Sequence, residues 1–208
     1  KILKSNLKEI ISKKLFYDIQ SYYDNSSAVS IKDILVFNNK VYFSYIKKNL
    51  NLQNNCYNSS ILSADLNFDF LIFSEFFSYD QCVENFYSKQ LGGRMAVDEK
   101  NNNIFFTIGD FNNETVNASE YTKAQDENSI FGKIISIDIN TKDYSIISKG
   151  HRNPQGLFYV ADKDILLSTE HGPDGGDEIN NIVIGGNYGW PISSYGTHYD
   201  GYEKFINV

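Results

Sequence analysis

Between Gly150 and Pro191 the sequence concentrates groups that could do chemistry: His151, Arg152 and Asn153, then His171, then Asp174, Asp177 and Glu178, with Tyr188 close behind. The same stretch holds all three prolines, the only tryptophan and two of the three histidines. Arg152 offers a planar fork of N–H donors suited to carboxylates, and Asn153 adds both a donor and an acceptor. The pair suits an anionic ligand rich in carbonyls; the plainer alternative is an arginine bonded to loop carbonyls. Gly172-Pro173, followed by Asp174, Asp177 and Glu178, offers the hard oxygen donors that Ca2+ takes, and proline contributes a carbonyl with no competing amide N–H. The spacing is not that of an EF-hand, and the plainer alternative is an acidic, solvated loop.

Loops of this kind need a rigid carrier, and the chain supplies one as a repeat. Asn39-Lys-Val-Tyr-Phe-Ser-Tyr45, Asn102-Asn-Ile-Phe-Phe-Thr-Ile108 and Lys163-Asp-Ile-Leu-Leu-Ser-Thr169 align without gaps, about 62 residues apart. Each follows another apolar run (34–37, 95–97, 157–160) and a polar turn, so each reads as a hairpin. Further strands are expected at 60–66 with 70–76 and at 133–139 with 144–148. Four strands per unit is the periodicity of a β-propeller blade, and about three such units fit here. Residues 1–208 are therefore expected to form one partial propeller domain, incomplete at both ends, whose end blades expose apolar sheet faces. In the aligned hairpins Asp110 and His171 fall at equivalent strand ends, near one mouth of the propeller; taken alone, Asp110 could simply cap a turn.

Composition narrows the partners. Hydrophobic residues at 41% suffice for a core, and a net charge of −7 without a Lys/Arg cluster argues against nucleic acid and against anionic membrane surfaces. No apolar run is long enough to span a membrane. Cys56 and Cys82 sit in polar, loop-like sequence, which favours a disulfide and an oxidising compartment over two buried thiols. Residues 1–30 read either as a short helix with Leu3, Leu7, Ile10, Ile11 and Leu15 on one face or as two strands. The polar insert 112–129 reads as a long loop. Sequons at Asn25, Asn58, Asn113 and Asn117 carry no weight in so Asn-rich a chain.

Gly150-His-Arg-Asn-Pro-Gln-Gly-Leu157, Thr169-Glu-His-Gly-Pro-Asp-Gly-Gly-Asp-Glu-Ile-Asn180, Gly185-Gly-Asn-Tyr-Gly-Trp-Pro191 and Leu91-Gly-Gly-Arg94 together resemble the glucose/sorbosone dehydrogenase family. The resemblance is dense over residues 90–195. It implies an all-β, six-bladed β-propeller fold using pyrroloquinoline quinone (PQQ) and Ca2+ to oxidise sugars, with an external electron acceptor and an extracytoplasmic location, periplasmic or secreted. By that resemblance the carbonyls of Gly172 and Pro173 hold the Ca2+, Glu178 and Tyr188 belong to its framework, and Asp110, Arg152 and Asn153 line the cofactor and substrate site.

One position departs from the family pattern. The catalytic base, a histidine in the family, lies four residues before the arginine of the Gly-Gly-Arg element, and here that residue is Gln90. A carboxamide is neutral and cannot serve as a general base. His151, His171 and His198 are the candidate substitutes. Gln90 leaves one further reading open, a propeller that binds sugar or metal without turnover; because propellers host unrelated chemistries, a Ca2+-dependent lactonase is a second, against which the 150–156 element speaks.

Overall fold

The structure is a computed structural model that describes residues 3–10, 31–49, 56–83, 90–111 and 123–197. His198, most of the 112–129 insert and the sequons at Asn25, Asn113 and Asn117 lie outside the described residues. Chain contacts divide the protein into two compact units, Lys1–Ser88 and Lys89–Val208.

In the first unit, β1 (Lys4–Ser5) and a single helical turn, α1 (Leu7–Ile10), precede the hairpin of β2 (Ile31–Phe37) and β3 (Lys40–Asn49). Asn38 and Asn39 carry the turn at φ 47° and 57°, a left-handed pair that asparagine tolerates and that matches strand twist. Then come β4 (Cys56–Asp65), β5 (Phe70–Leu71) and β6 (Ser74–Phe77). Strands β2-β3-β4-β6 make one antiparallel sheet, while β5 pairs with β1 in parallel. Strand β4 is buried on both faces. One face packs Val41, Tyr45, Leu62, Ala64, Leu71 and Phe73 into a core. On the other, Tyr42 meets Phe76 edge-on at 5.1 Å. Asn58 lies buried in β4, its amide donating to the carbonyls of Tyr79 and Gln81, so its sequon is no glycan acceptor in the folded state.

The second unit holds two sheets. Strands β7 (Gly92–Asp98), β8 (Asn103–Ile108), β9 (Lys133–Asp138) and β10 (Tyr144–Lys149) form an antiparallel meander, and β11 (Pro154–Val160), β12 (Ile165–Glu170) and β13 (Glu178–Ile182) form another. The aligned apolar positions occupy one register: Val36 faces Val41, Val97 faces Ile104 and Val160 faces Ile165. Ala96, Ile134 and Ile147 pack against Leu166 and Ile182 between the sheets.

Two features differ from the sequence expectation. The segment around Glu178, read as loop, starts strand β13, because Glu178 to Ile182 pair with β12 residue for residue. The third unit shows three strands rather than four among the described residues; the next short strand, β14 (Gly186–Asn187), adds in parallel to β10 of the preceding sheet. Chain from beyond the third hairpin therefore closes over the end of the second sheet, which brings Tyr188 and Trp190 to the 150–153 turn. Apolar residues on the flanking strands are exposed, Val36 on β2 and Phe158 and Ile179 on β11 and β13 among them. No helix among the described residues is long and apolar enough to cross a membrane.

Cys56 and Cys82 form a disulfide that ties the start of β4 to the chain after β6. The bridge closes a loop spanning 26 positions, worth about 3 kcal/mol in the chain-entropy account. Alkylation without reductant followed by mass spectrometry is expected to label neither thiol, and C56A/C82A is expected to lower the unfolding free energy by roughly that amount.

Candidate active site

The HRN turn, residues 151–153, joins β10 to β11, and His151, Arg152 and Asn153 are all buried. A buried guanidinium must find partners, and Arg152 takes them from three segments. Its Nη1 donates to the carbonyls of His171 (3.0 Å) and Gly172 (2.7 Å). Its Nη2 donates to Gln90 Oε1 at 2.7 Å, in the amide orientation that pairs donors with acceptors; Gln90 Nε2 then donates to Asp110 Oδ1 at 2.6 Å. The guanidinium carbon lies 5.1 Å from the Trp190 ring centre, a cation–π distance.

Asp110 is equally enclosed. Its carboxylate accepts from Gln90 and from the Trp190 indole N–H (2.5 Å), and its amide donates to the Arg152 carbonyl (2.9 Å). Gly109 makes this approach possible: a Cβ there would sit 2.2 Å from the Gln90 carbonyl oxygen. Asp110, Gln90 and Arg152 thus form one row, carboxylate to amide to guanidinium.

Asn153 packs its side-chain oxygen into the protein. Its Oδ1 accepts from the Gly92 amide (3.2 Å) and from Gln155 Nε2 (2.8 Å), so this oxygen braces the Gly-Gly-Arg loop against the HRN turn. His171 and Asp177 are exposed and bonded to each other at 3.2 Å, and Asp177 also accepts from the Gly172 amide at 3.0 Å. That amide, then His171, holds the Asp177 carboxyl below the usual carboxylate range. The carboxylate thereby braces the turn from its amide side, leaving the carbonyl side to face Arg152. Gly172 is required there, since a Cβ would meet the Gly175 oxygen at 2.4 Å.

Arg152, His171, Gly172, Glu178, Tyr188 and Trp190 line one narrow, solvent-open cleft of about 10 Å³. Burial pushes the Glu178 carboxyl up. Tyr188, expected in the framework around the metal, has its hydroxyl donating to the Asn181 carbonyl (2.6 Å) and accepting from the Val183 amide (3.0 Å). Its ring is stacked on His151 at 4.7 Å.

The convergence of two main-chain carbonyls on a cationic group is the donor arrangement a hard cation uses, and the guanidinium beside them suits a carboxylate-bearing ligand. The guanidinium therefore fits an anionic, carboxylate-bearing group; of the two oxygens expected to hold Ca2+, that of Gly172 already accepts from Arg152 Nη1. No cluster of three or more His, Cys, Asp or Glu able to hold a metal occurs among the described residues.

Sequence reasoning missed Glu170, Gln125 and Lys133. Lys133 is fully buried, and its ammonium donates to the carbonyls of Lys123, Ala124 and Phe131 at 2.8–3.0 Å. The segment so held presents Gln125, whose amide binds the Trp190 carbonyl (2.6 Å) and pairs reciprocally with Asn187. Lysine, glutamine and tryptophan thereby support the far side of Asp110. A polar residue inside the apolar pattern of β9 was the available signal.

A family model described as Glucose / Sorbosone dehydrogenase matches residues 29–207. Aldose sugar dehydrogenase YliI of Escherichia coli (strain K12) is 36% identical over 119 residues, 54% of this chain and 32% of that protein. Quinoprotein glucose dehydrogenase B of Acinetobacter calcoaceticus is 36% identical over 124 residues, 48% of this chain and 25% of that protein. Among solved structures, a glucose dehydrogenase superposes with TM-score 0.71 at 24% identity, covering 86% of this chain and 55% of that one. The PQQ-bound aldose sugar dehydrogenase of Streptomyces coelicolor gives 0.60 at 22%, covering 86% and 54%. This chain thus spans a third or less of these curated relatives and just over half of the solved ones. The fold is all-β, part of a propeller of which the chain supplies about three blades, with sheets that do not close a ring.

Burial drives the Lys133 pKa from 10.5 down to about 8. The unfolded chain therefore holds this proton more tightly, and folding stability is expected to rise as the pH climbs from about 8 to 10.5, by an amount of order 3 kcal/mol. Urea unfolding of wild type and K133M across that window checks this: the rise belongs to wild type alone, whereas tyrosine titration affects both.

Proposed function

Because the chain belongs to the glucose/sorbosone dehydrogenase family, we propose that it forms the cofactor-binding half of a PQQ- and Ca2+-dependent dehydrogenase that oxidises aldose sugars to lactones. The observation that carries this reading is the buried Arg152 guanidinium, set between the Gln90–Asp110 pair and the carbonyls of His171 and Gly172. When bound, PQQ supplies the two-electron acceptor and Ca2+ the Lewis acid that polarises it. The electrons must then leave to an external acceptor.

The remaining roles belong to this chain. Arg152 binds a cofactor carboxylate, and Asn153 holds the loop that carries Gln90 in register with it. The carbonyls of Gly172 and Pro173 hold Ca2+, the first of them stiffened by Asp177, while Glu178 lines the same cleft. The disulfide supports an extracytoplasmic site of action, periplasmic or secreted.

Proton removal from the sugar hydroxyl is where this chain is weak. Gln90 stands at the position of the family's base, and its amide is spent between Asp110 and Arg152. His151 cannot replace it, because it is fully buried with both ring nitrogens bonded. His171 is exposed at the cleft and is the remaining candidate among the described residues. These facts favour one second reading, a propeller that binds cofactor or sugar with little turnover.

Gln90→His places an imidazole against Asp110, the carboxylate-oriented base of hydrolytic triads. At equal PQQ occupancy the substitution is expected to raise aldose oxidation about 100-fold or more in a dye-linked assay. Wild-type turnover already near 10 s⁻¹ would instead assign the base to another group, His171 first. For the metal, calorimetry is expected to show PQQ binding weakened by a Ca2+ chelator. Pro173→Gly is expected to weaken it more than Asp174→Ala, since the donors are main-chain oxygens; equal PQQ affinity with and without Ca2+ counts against the site.

A further inference from the structure

Behind the HRN turn lies a second buried row of polar groups. Ser148 Oγ lies 2.8 Å from His151 Nε2, and His151 Nδ1 lies 2.9 Å from Glu170 Oε2. All three residues are buried, His151 completely. Hydroxyl, imidazole and carboxylate in this order are the residue types of a hydrolytic triad. A nucleophile there must be reachable by substrate, and Ser148 is 1% exposed under a ring stacked by Tyr188. The row is therefore no second active site, and its use has to be sought in what Glu170 does with its other oxygen.

Glu170 Oε1 accepts from two successive backbone amides, those of Arg152 and Asn153. Three N–H donors thus converge on one carboxylate, which an ionised acceptor-only group can satisfy. With Nδ1–H donating to Glu170, the neutral imidazole presents a bare Nε2 that accepts from the Ser148 hydroxyl. The turn is gripped from its carbonyl side as well: the Arg152 carbonyl accepts from the Asp110 amide and the Asn153 carbonyl from the His171 amide. Glu170 itself is fixed at the end of β12, opposite Pro154 on one side and Glu178 on the other.

We propose that Glu170, oriented by His151, is the positioning residue for Arg152: it fills the concavity of two backbone amides and so sets the direction from which the guanidinium reaches the cofactor. This rests on the reading of Arg152 as a cofactor clamp. An unmade bond to a buried, charged group costs enough to weaken a dependent equilibrium about tenfold or more. E170A leaves both amides without their acceptor. E170Q keeps an acceptor oxygen for them and turns its NH2 toward His151, which must then reverse its tautomer.

The test uses full-length protein and three readouts. The wild-type ring nitrogen-15 spectrum is expected to show one neutral histidine protonated at Nδ1; E170Q is expected to move that proton to Nε2, and an unchanged tautomer overturns the arrangement. Amide hydrogen exchange at Arg152 and Asn153 is expected to be protected in wild type and E170Q and lost in E170A. PQQ affinity by fluorescence quenching is expected to fall about tenfold or more in E170A and to recover largely in E170Q. Folded E170A with wild-type exchange or wild-type PQQ affinity overturns the proposal. If wild type binds no PQQ, the cofactor reading fails, and with it the positioning role; the exchange and tautomer readouts then report the turn alone. Should E170A fail to fold, the tautomer and exchange of E170Q still decide the arrangement.

Discussion

The second unit is built around a guanidinium that has been taken out of water. Arg152 is 4% exposed, and a buried charge is tolerable only when hydrogen-bonded and balanced. Each of its partners arrives on a different segment: Gln90 ahead of β7, the His171-Gly172 carbonyls after β12, and the Trp190 face after β14. Moving any of these segments would strand a charge. That requirement constrains how the loops at this end of the sheets are arranged.

The supports of the site differ in kind. Asp110 is held by an indole N–H and a carboxamide, and the HRN turn by a carboxylate behind it. The segment before β9 is held by an ammonium on three carbonyls. Lys133 there occupies the place a bound cation could take, and burial makes that costly, which its lowered pKa records. Such polar supports specify one arrangement of loops where an apolar filling would allow several.

Gln90 gives this site its particular character. A carboxamide between Asp110 and Arg152 satisfies both with one donor and one acceptor and carries no charge of its own. An imidazole in that place would be a base backed by a carboxylate. The row built here instead links carboxylate and guanidinium through a neutral amide.

Much of this was open to reading in the sequence because it is local. Turn residues such as Asn38-Asn39 and period-two apolar runs place the hairpins, and the Gly- and Pro-rich elements mark the loops that matter. Two polar-flanked cysteines in one unit announced their bridge. What the sequence could not decide were pairings between residues far apart in the chain. Asp110 meets Trp190 across 80 positions and Gly92 meets Asn153 across 61, and β14 joins the sheet before its own. The inward turn of Asn153, the occupation of the Tyr188 hydroxyl and the clamp of Glu170 follow from those pairings. Residue type limits which bonds a side chain can make, but only the folded chain, by bringing donor and acceptor within about 3 Å, decides which of them it does make.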